Sequence, residues 1–351
     1  MQTFWSEMAK RAWPYTPGEQ PRDQVYIKLN TNECPYPPTP SLKKMTFETE
    51  KLRLYPDPTV KTLREQIAER NQLKPEEVFI GNGSDEILAF SFMAFADQQH
   101  PISFADITYS FYPVYARIFQ VPEQIVPLRE NFELNLDDYE EAAGPVIIAN
   151  PNAPTGLALP PQRLEAFLKA HPDRLLIVDE AYVDFGAESM VPYIHQYDNL
   201  LVIQTFSKSR ALAGARLGFA MGQKGLIEAL DRIKNSFNSY TISRYSMQAG
   251  TAAMADETYF QWTRQQIMET RDALIPQLRE KGFEVTDSKT NFLWMKKSGV
   301  AGESLYQGLR QRGILVRHFK NEAICDYIRV TIGTKEEMEK FKLALYEVIE
   351  S

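Results

Sequence analysis

Residues 199–216 read NLLVIQTFSKSRALAGAR, and the fold turns on how this stretch divides. Its first part, NLLVIQTF, is an unbroken apolar run rich in branched side chains. That is the pattern of a strand buried on both faces. Two earlier runs share the texture, PVIIA at 145–149 and RLLIVDE at 174–180, with the helical pattern PQRLEAFLKAH at 161–171 between them. Upstream, helical TVKTLREQIAERNQL gives way at Pro75 to a further strand, EVFIG, at 77–81. Apolar strands alternating with helices predict an α/β fold, with a mostly parallel sheet covered by helices.

After about residue 255 the texture changes. A long polar helix, TYFQWTRQQIMETRDALIPQLREKG, leads into NFLWMK, a second helix, ILVRH, YIRVTIG and a closing helix. Gly282 is placed to end the long helix in a left-handed turn. This predicts a smaller α+β domain over 256–351, after a large domain over 41–255. Residues 13–40 carry the proline-rich stretches WPYTPGEQP and ECPYPPTP and are expected to run irregularly, within an N-terminal arm, 1–40, that joins the small domain. A chain of 351 residues suits two domains of this kind.

The net charge is −7 and the pI about 5.4, which speaks against a face that tracks nucleic-acid backbone. Cys34 and Cys325 show no CxxC spacing and read as reduced thiols. The four histidines, His100, His171, His195 and His318, are scattered without an HExxH pair, so no metal is expected. No apolar run approaches the length of a membrane span, and the first twenty residues contain no apolar leader core. The expected setting is cytoplasmic, with no membrane partner.

In open parallel sheets, ligands bind beyond the carboxyl ends of the strands. PVIIA runs into NPNAPTG (150–156), RLLIV into DEAY (179–182), and NLLVIQTF into Ser207 and Lys208. Right-handed crossovers bring these ends to one edge. An amide-rich loop, a carboxylate, a tyrosine and a lysine should therefore converge. A lysine after a buried strand ordinarily snorkels to solvent. Here Ala211, Ala213, Gly214 and Ala215 are small enough for close approach of a bulky ligand, and Arg216 follows as a grip for phosphate. GNGSDE at 81–86 joins a strand to a helix start, an arrangement that attracts anions. It also resembles the dinucleotide fingerprint GxGxxG, with Glu86 at the third glycine position. A nucleotide-dependent dehydrogenase thus stands as a reading of a different class.

The ordered set GNGSDE, TYSFY, NPNAPTG, DEAY, TFSKSRALAGARLGF and YIRVTIGT resembles the fold-type I aminotransferases, which use pyridoxal phosphate. Within them it is most similar to the histidinol-phosphate aminotransferase group, from about Tyr15 to the last helix. The resemblance implies that Lys208 forms the Schiff base and shuttles a proton. It implies that Asp179 holds the pyridine nitrogen protonated, that Tyr182 hydrogen-bonds the ring hydroxyl, and that Tyr109 stacks on the ring. Ser84, Asp85, Thr205, Ser207 and Arg216 would cup the phosphate. Tyr55 would reach it from the second subunit of a homodimer with shared sites. Arg329 would bind the substrate anion, with Arg317 and Tyr15 nearby. The implied reaction moves an amino group between histidinol phosphate and glutamate or 2-oxoglutarate, in histidine biosynthesis.

Each residue also has an ordinary reading. Asp179 can cap the turn that follows it. Tyr109 and Tyr182 can be core aromatics with satisfied hydroxyls. Arg329 can be a surface ion pair, and Tyr55 a turn residue. One position departs from the family pattern NPNNPTG: Ala153 stands where an asparagine contacts the ring hydroxyl. Either Asn152 turns inward instead, or Tyr182 acts alone. Aromatic aminotransferases and threonine-phosphate decarboxylase share most of these motifs and remain alternatives within the fold.

Overall fold

The computed structural model describes residues 4–46 and 48–350. A seven-stranded sheet dominates it. Across the sheet the strands run Val78–Gly81, Gly218–Gly222, Leu200–Thr205, Leu176–Asp179, Val146–Ala149, Ile102–Ala105 and Glu123–Val126. Neighbours pair in parallel except at Gly218–Gly222, which runs antiparallel to both strands beside it. The three strands read first from the sequence are adjacent and in register, with Ile147 opposite Ile177 and Ile177 opposite Leu201.

Their apolar runs are continuous because both faces are buried. Ile148, Val178 and Val202 pack into one core, with Leu63 and Ile67 of the helix Lys61–Arg70 and Leu164 of the helix Pro161–Ala170. Ile147, Ile177 and Leu201 face the opposite way, into a core with Ile87 and Phe92 of the helix Gly83–Phe95. Pro161 opens its helix at the first position, where a missing N–H does no harm.

A third core lies around a four-stranded antiparallel sheet ordered Arg317–His318, Ile328–Thr331, Phe292–Lys297, Phe283–Val285. Leu293, Met295, Ile328 and Val330 pack there against Leu305 and Leu309 of the helix Gly302–Gln311 and Phe341 of the helix Lys335–Glu350. The arm enters this core through Leu29, and Ile27–Lys28 pairs in parallel with Ile314–Leu315. The long helix Glu257–Glu280 leads in from the large sheet. Asp256 caps its start by accepting from the Tyr259 N–H at 3.2 Å, and Gly282 follows its end at φ +77°. The strands Gly218–Gly222 and Phe283–Val285 and the short helix Glu7–Arg11 carried no signal in the sequence reading.

Candidate active site

Beyond the carboxyl ends of the three parallel strands lies a cavity of about 350 Å³. Asp179 ends one strand, Thr205 ends another, and Ser207 and Lys208 follow it; all four line the cavity. Tyr109, Tyr182, Ser84, Asp85 and Arg216 complete the wall.

Asp179 is fully within the protein. Its Oδ2 accepts from the Tyr112 hydroxyl at 2.8 Å and its Oδ1 from the Ala181 N–H at 3.1 Å. Burial pushes the carboxyl up from its ordinary 3.8 to about 6, against the lowering effect of these bonds and of the Lys208 charge. The carboxylate is thus held in place while one side of the cavity remains open to it. Lys208 reaches across with its Nζ 3.3 Å from the Thr31 carbonyl and 5.7 Å from the centre of the Tyr182 ring. Tyr182 in turn receives a hydrogen bond from Asn32 Nδ2 at 2.9 Å.

Ser84, Asp85 and Arg216 bring the start of a helix to the cavity wall. The helix Gly83–Phe95 starts where Gly83 takes φ +80°. A Cβ there would sit 2.5 Å from the Arg216 guanidinium. Arg216 donates to Asp85 at 2.8 Å, and the other Asp85 oxygen accepts from the Tyr109 hydroxyl at 2.8 Å. Glu86 bends back so that its carboxylate accepts the Asn82 N–H at 2.7 Å. A side chain committed there is incompatible with the third glycine of a dinucleotide turn, so the geometry removes the support for that reading.

Arg329 lies beside the cavity, half-buried, with its guanidinium 5.2 Å from the centre of the Phe292 ring. It donates to the Asn30 carbonyl at 3.2 Å, while its Nε is shut off from solvent with no partner. Desolvation lowers its pKa, and the groups acting on its charge include Tyr182, Tyr15 and Tyr109. Arg317 is its register partner on the neighbouring strand, but the Arg317 guanidinium holds the arm carbonyls of Thr16 and Pro17. Tyr15 stacks on Phe111 at 4.4 Å.

Two candidates lie elsewhere. Asn152 does not turn inward. Its Oδ1 accepts from Thr108, and its Nδ2 donates to Ile107 O and Thr155 Oγ1, so its polar atoms are consumed by its own loop and by residues 107–108, which follow the strand Ile102–Ala105. Ala153 lines the cavity in its place. Tyr55 is 78% exposed, outside the cavity of its own chain, and stacks on Tyr240 at 4.5 Å.

Sequence reasoning missed Tyr112, although it closes the quoted motif TYSFY, and missed the arm segment LNTNECP. Thr31 and Glu33 line the cavity, and Asn30 and Asn32 touch Arg329 and Tyr182. The available signal was a pair of asparagines, both 1% exposed, in an otherwise irregular arm.

The family model for class I and II aminotransferases matches residues 24–345. A histidinol-phosphate aminotransferase of Brachyspira hyodysenteriae is 52% identical over 344 residues, covering 97% of each chain. One from Bradyrhizobium diazoefficiens is 49% identical, over 99% of this chain and all of that one. Among solved structures, the histidinol-phosphate aminotransferase of Clostridium acetobutylicum superposes with a TM-score of 0.84 at 26% identity, over 92% of this chain and 98% of that chain. The enzyme from Sinorhizobium meliloti, in complex with pyridoxal-5'-phosphate, gives 0.84 at 26% identity, over 93% and 92%. With the family model spanning nearly the whole chain, this protein belongs to the class I and II aminotransferases.

Proposed function

We propose that this chain transfers an amino group between histidinol phosphate and 2-oxoglutarate, with pyridoxal phosphate in the cavity between Lys208 and Asp179, in histidine biosynthesis. The observation that carries this reading is the meeting of one amine and one buried carboxylate on the wall of a cavity that the helix start at Ser84 and Asp85 and the Arg216 side chain also line. The names of the relatives at about half identity support the substrate.

The residues fit the cofactor. Gly83, with no Cβ, lets the Arg216 guanidinium come up against the helix start, and small Ala153 and Gly214 line the wall. When bound, pyridoxal phosphate supplies an electrophilic carbon and a ring that spreads the negative charge left at the substrate Cα. Lys208 would hold the cofactor through Nζ, and its free amine would be the base placed to take the Cα proton. Asp179 keeps a proton on the ring nitrogen, and the Tyr112 hydroxyl orients it for that task. Tyr182 donates to the ring hydroxyl. Ser84 and Asp85 backbone N–H groups, with Thr205, Ser207 and Arg216, hold the phosphate. Tyr109 covers the ring. Arg329 takes the substrate anion, since a guanidinium pairs with either a phosphate or a carboxylate. Tyr15 packs beside that anion, and Arg317 fixes the arm around it.

The working form is a homodimer in which Tyr55 serves the partner's cavity. Supporting this, Leu52, Leu54, Tyr55, Phe237 and Tyr240 all stay exposed on segments gathered by the Tyr55–Tyr240 stack. The arm 1–40 works with 256–351 as one unit against 41–255, as the Ile27–Lys28 pairing with Ile314–Leu315 supports. A cytoplasmic setting suits two free cysteines.

The test is a panel with 2-oxoglutarate as acceptor. Glutamate formation from histidinol phosphate should exceed that from phenylalanine by at least roughly tenfold in kcat/KM. Threonine phosphate should release no CO₂. A preference for phenylalanine, or decarboxylation, would replace the substrate assignment.

A further inference from the structure

The arm segment 30–32 touches three groups of the site in succession. The Asn30 carbonyl accepts from Arg329 at 3.2 Å, the Thr31 carbonyl from Lys208 at 3.3 Å, and the Asn32 amide donates to Tyr182 at 2.9 Å. The third contact has a direction that the surrounding atoms dictate.

Asn32 sits at φ +55°, a left-handed conformation that asparagine tolerates better than most residues. Its N–H donates to Thr331 Oγ1 at 3.0 Å, and its carbonyl accepts from Asn291 at 3.0 Å. Both Asn32 and Thr331 are closed to solvent, at 1% and 2% exposure. A threonine hydroxyl has one proton to give. The Thr331 oxygen receives the Asn32 N–H, and its one proton is directed at Asn32 Oδ1, 3.1 Å away. That contact fixes the amide so that Nδ2 faces Tyr182. The Tyr182 oxygen therefore accepts from Asn32, and its own proton is left to donate toward the cavity that its ring lines.

We propose that Asn32, oriented by Thr331, is a positioning residue that sets Tyr182 as a hydrogen-bond donor toward the bound cofactor. The proposal rests on the reading of Tyr182 as the partner of the cofactor's ring hydroxyl. Its consequence is chemical. A donor aimed at the ring oxygen stabilises the anionic oxygen and so lowers the proton affinity of the neighbouring nitrogen. The device also couples two parts of the chain. Thr331 ends the strand that carries Arg329, so the residue that orients the amide lies two positions from the proposed substrate anchor.

The experiment is a pH titration of the visible absorbance band of the cofactor-loaded protein. Tyr182→Phe should raise the midpoint by about one pH unit, a tenfold change in proton affinity. Asn32→Gly keeps the left-handed backbone and removes the amide; Thr331→Val keeps the shape and frees the amide to turn. Both replacements are neutral, so neither adds a charge near the band. Each should raise the midpoint by a fraction of the Tyr182→Phe shift, and neither should move it further in a Tyr182→Phe background. If Tyr182→Phe itself leaves the midpoint alone, the role of Tyr182 fails and the relay with it. If Tyr182→Phe shifts it while Asn32→Gly and Thr331→Val do not, the relay alone is overturned. Equal shifts in both backgrounds overturn it too, since they would reach the cofactor by a route that bypasses the phenol.

Discussion

Asp179 carries opposite demands from folding and from chemistry. Its folded pKa of about 6 lies above the ordinary 3.8, so the folded chain binds this proton more tightly than the unfolded one. That contribution is fully present below 3.8 and is lost as pH rises through about 6. Above that range the bare carboxylate weakens the cofactor-free fold by up to about 3 kcal/mol. Asp179→Asn should therefore raise Tm of the cofactor-free protein by several degrees near pH 8, and by little near pH 4. It should also abolish turnover, because an amide cannot hold a ring proton by charge. Melting curves at the two pH values decide it: an equal change at both would point to packing instead. Arg329 makes the complementary case, a cation with an unpartnered Nε. Arg329→Ala should raise KM about tenfold or more for both histidinol phosphate and glutamate, and Arg329→Lys should restore only part of it. A rise for one substrate alone would rule out a shared anchor. Lys208 and Asp179 were legible in the sequence because each follows an apolar run, and a strand end is a place as well as a pattern. Tyr112 was not, because a phenol has no sequence mark for the partner its hydroxyl will find.

At the scale of elements, the cavity wall at Ser84 depends on how closely the strand Gly218–Gly222 approaches the start of the helix Gly83–Phe95. A Cβ on Gly218 would stand 2.5 Å from Ser84 N and 2.6 Å from the Gly83 carbonyl carbon. Those are backbone atoms, so no side chain can swing aside. Gly218→Ala should destabilise the protein by about 1–3 kcal/mol and loosen cofactor binding by moving the Ser84 N–H. Melting and the fraction of cofactor retained on dialysis measure the two effects; retention equal to the parent's would detach that N–H from phosphate binding. This strand is also one of the elements the sequence concealed. GFAMG is short, lacks branched residues and is bounded by glycines, so only its pairing with Leu200–Thr205 and Val78–Gly81 makes it a strand. The three parallel strands were readable for the converse reason: burial on both faces leaves an apolar run that needs no partner to be recognised. The arm fell between these cases. Its prolines predicted irregular backbone correctly, yet its buried asparagines act through strands some three hundred residues away in the chain.

At the scale of the whole molecule, the placement of Tyr55 decides whether the cavities of a dimer are independent or shared, and a single chain's sequence carries no mark of that. Tyr55 is exposed and lies off its own cavity wall, while its ring is already stacked on Tyr240. A residue so placed either does nothing for catalysis or acts on another copy. Hybrid dimers separate these cases. Tyr55→Ala and Lys208→Ala homodimers should both be impaired, the second inactive. In a hybrid of one Tyr55→Ala subunit with one Lys208→Ala subunit, one cavity keeps Lys208, and the tyrosine available to it across the interface is intact. That cavity should turn over normally, giving about half the activity of the parent dimer. If Tyr55 instead served its own subunit, the cavity with Lys208 would lack the tyrosine, and the hybrid would show at most half the activity of the Tyr55→Ala homodimer. Recovery well above both variant homodimers therefore requires that the side chain cross between subunits, because no arrangement within one chain can restore what each variant has lost.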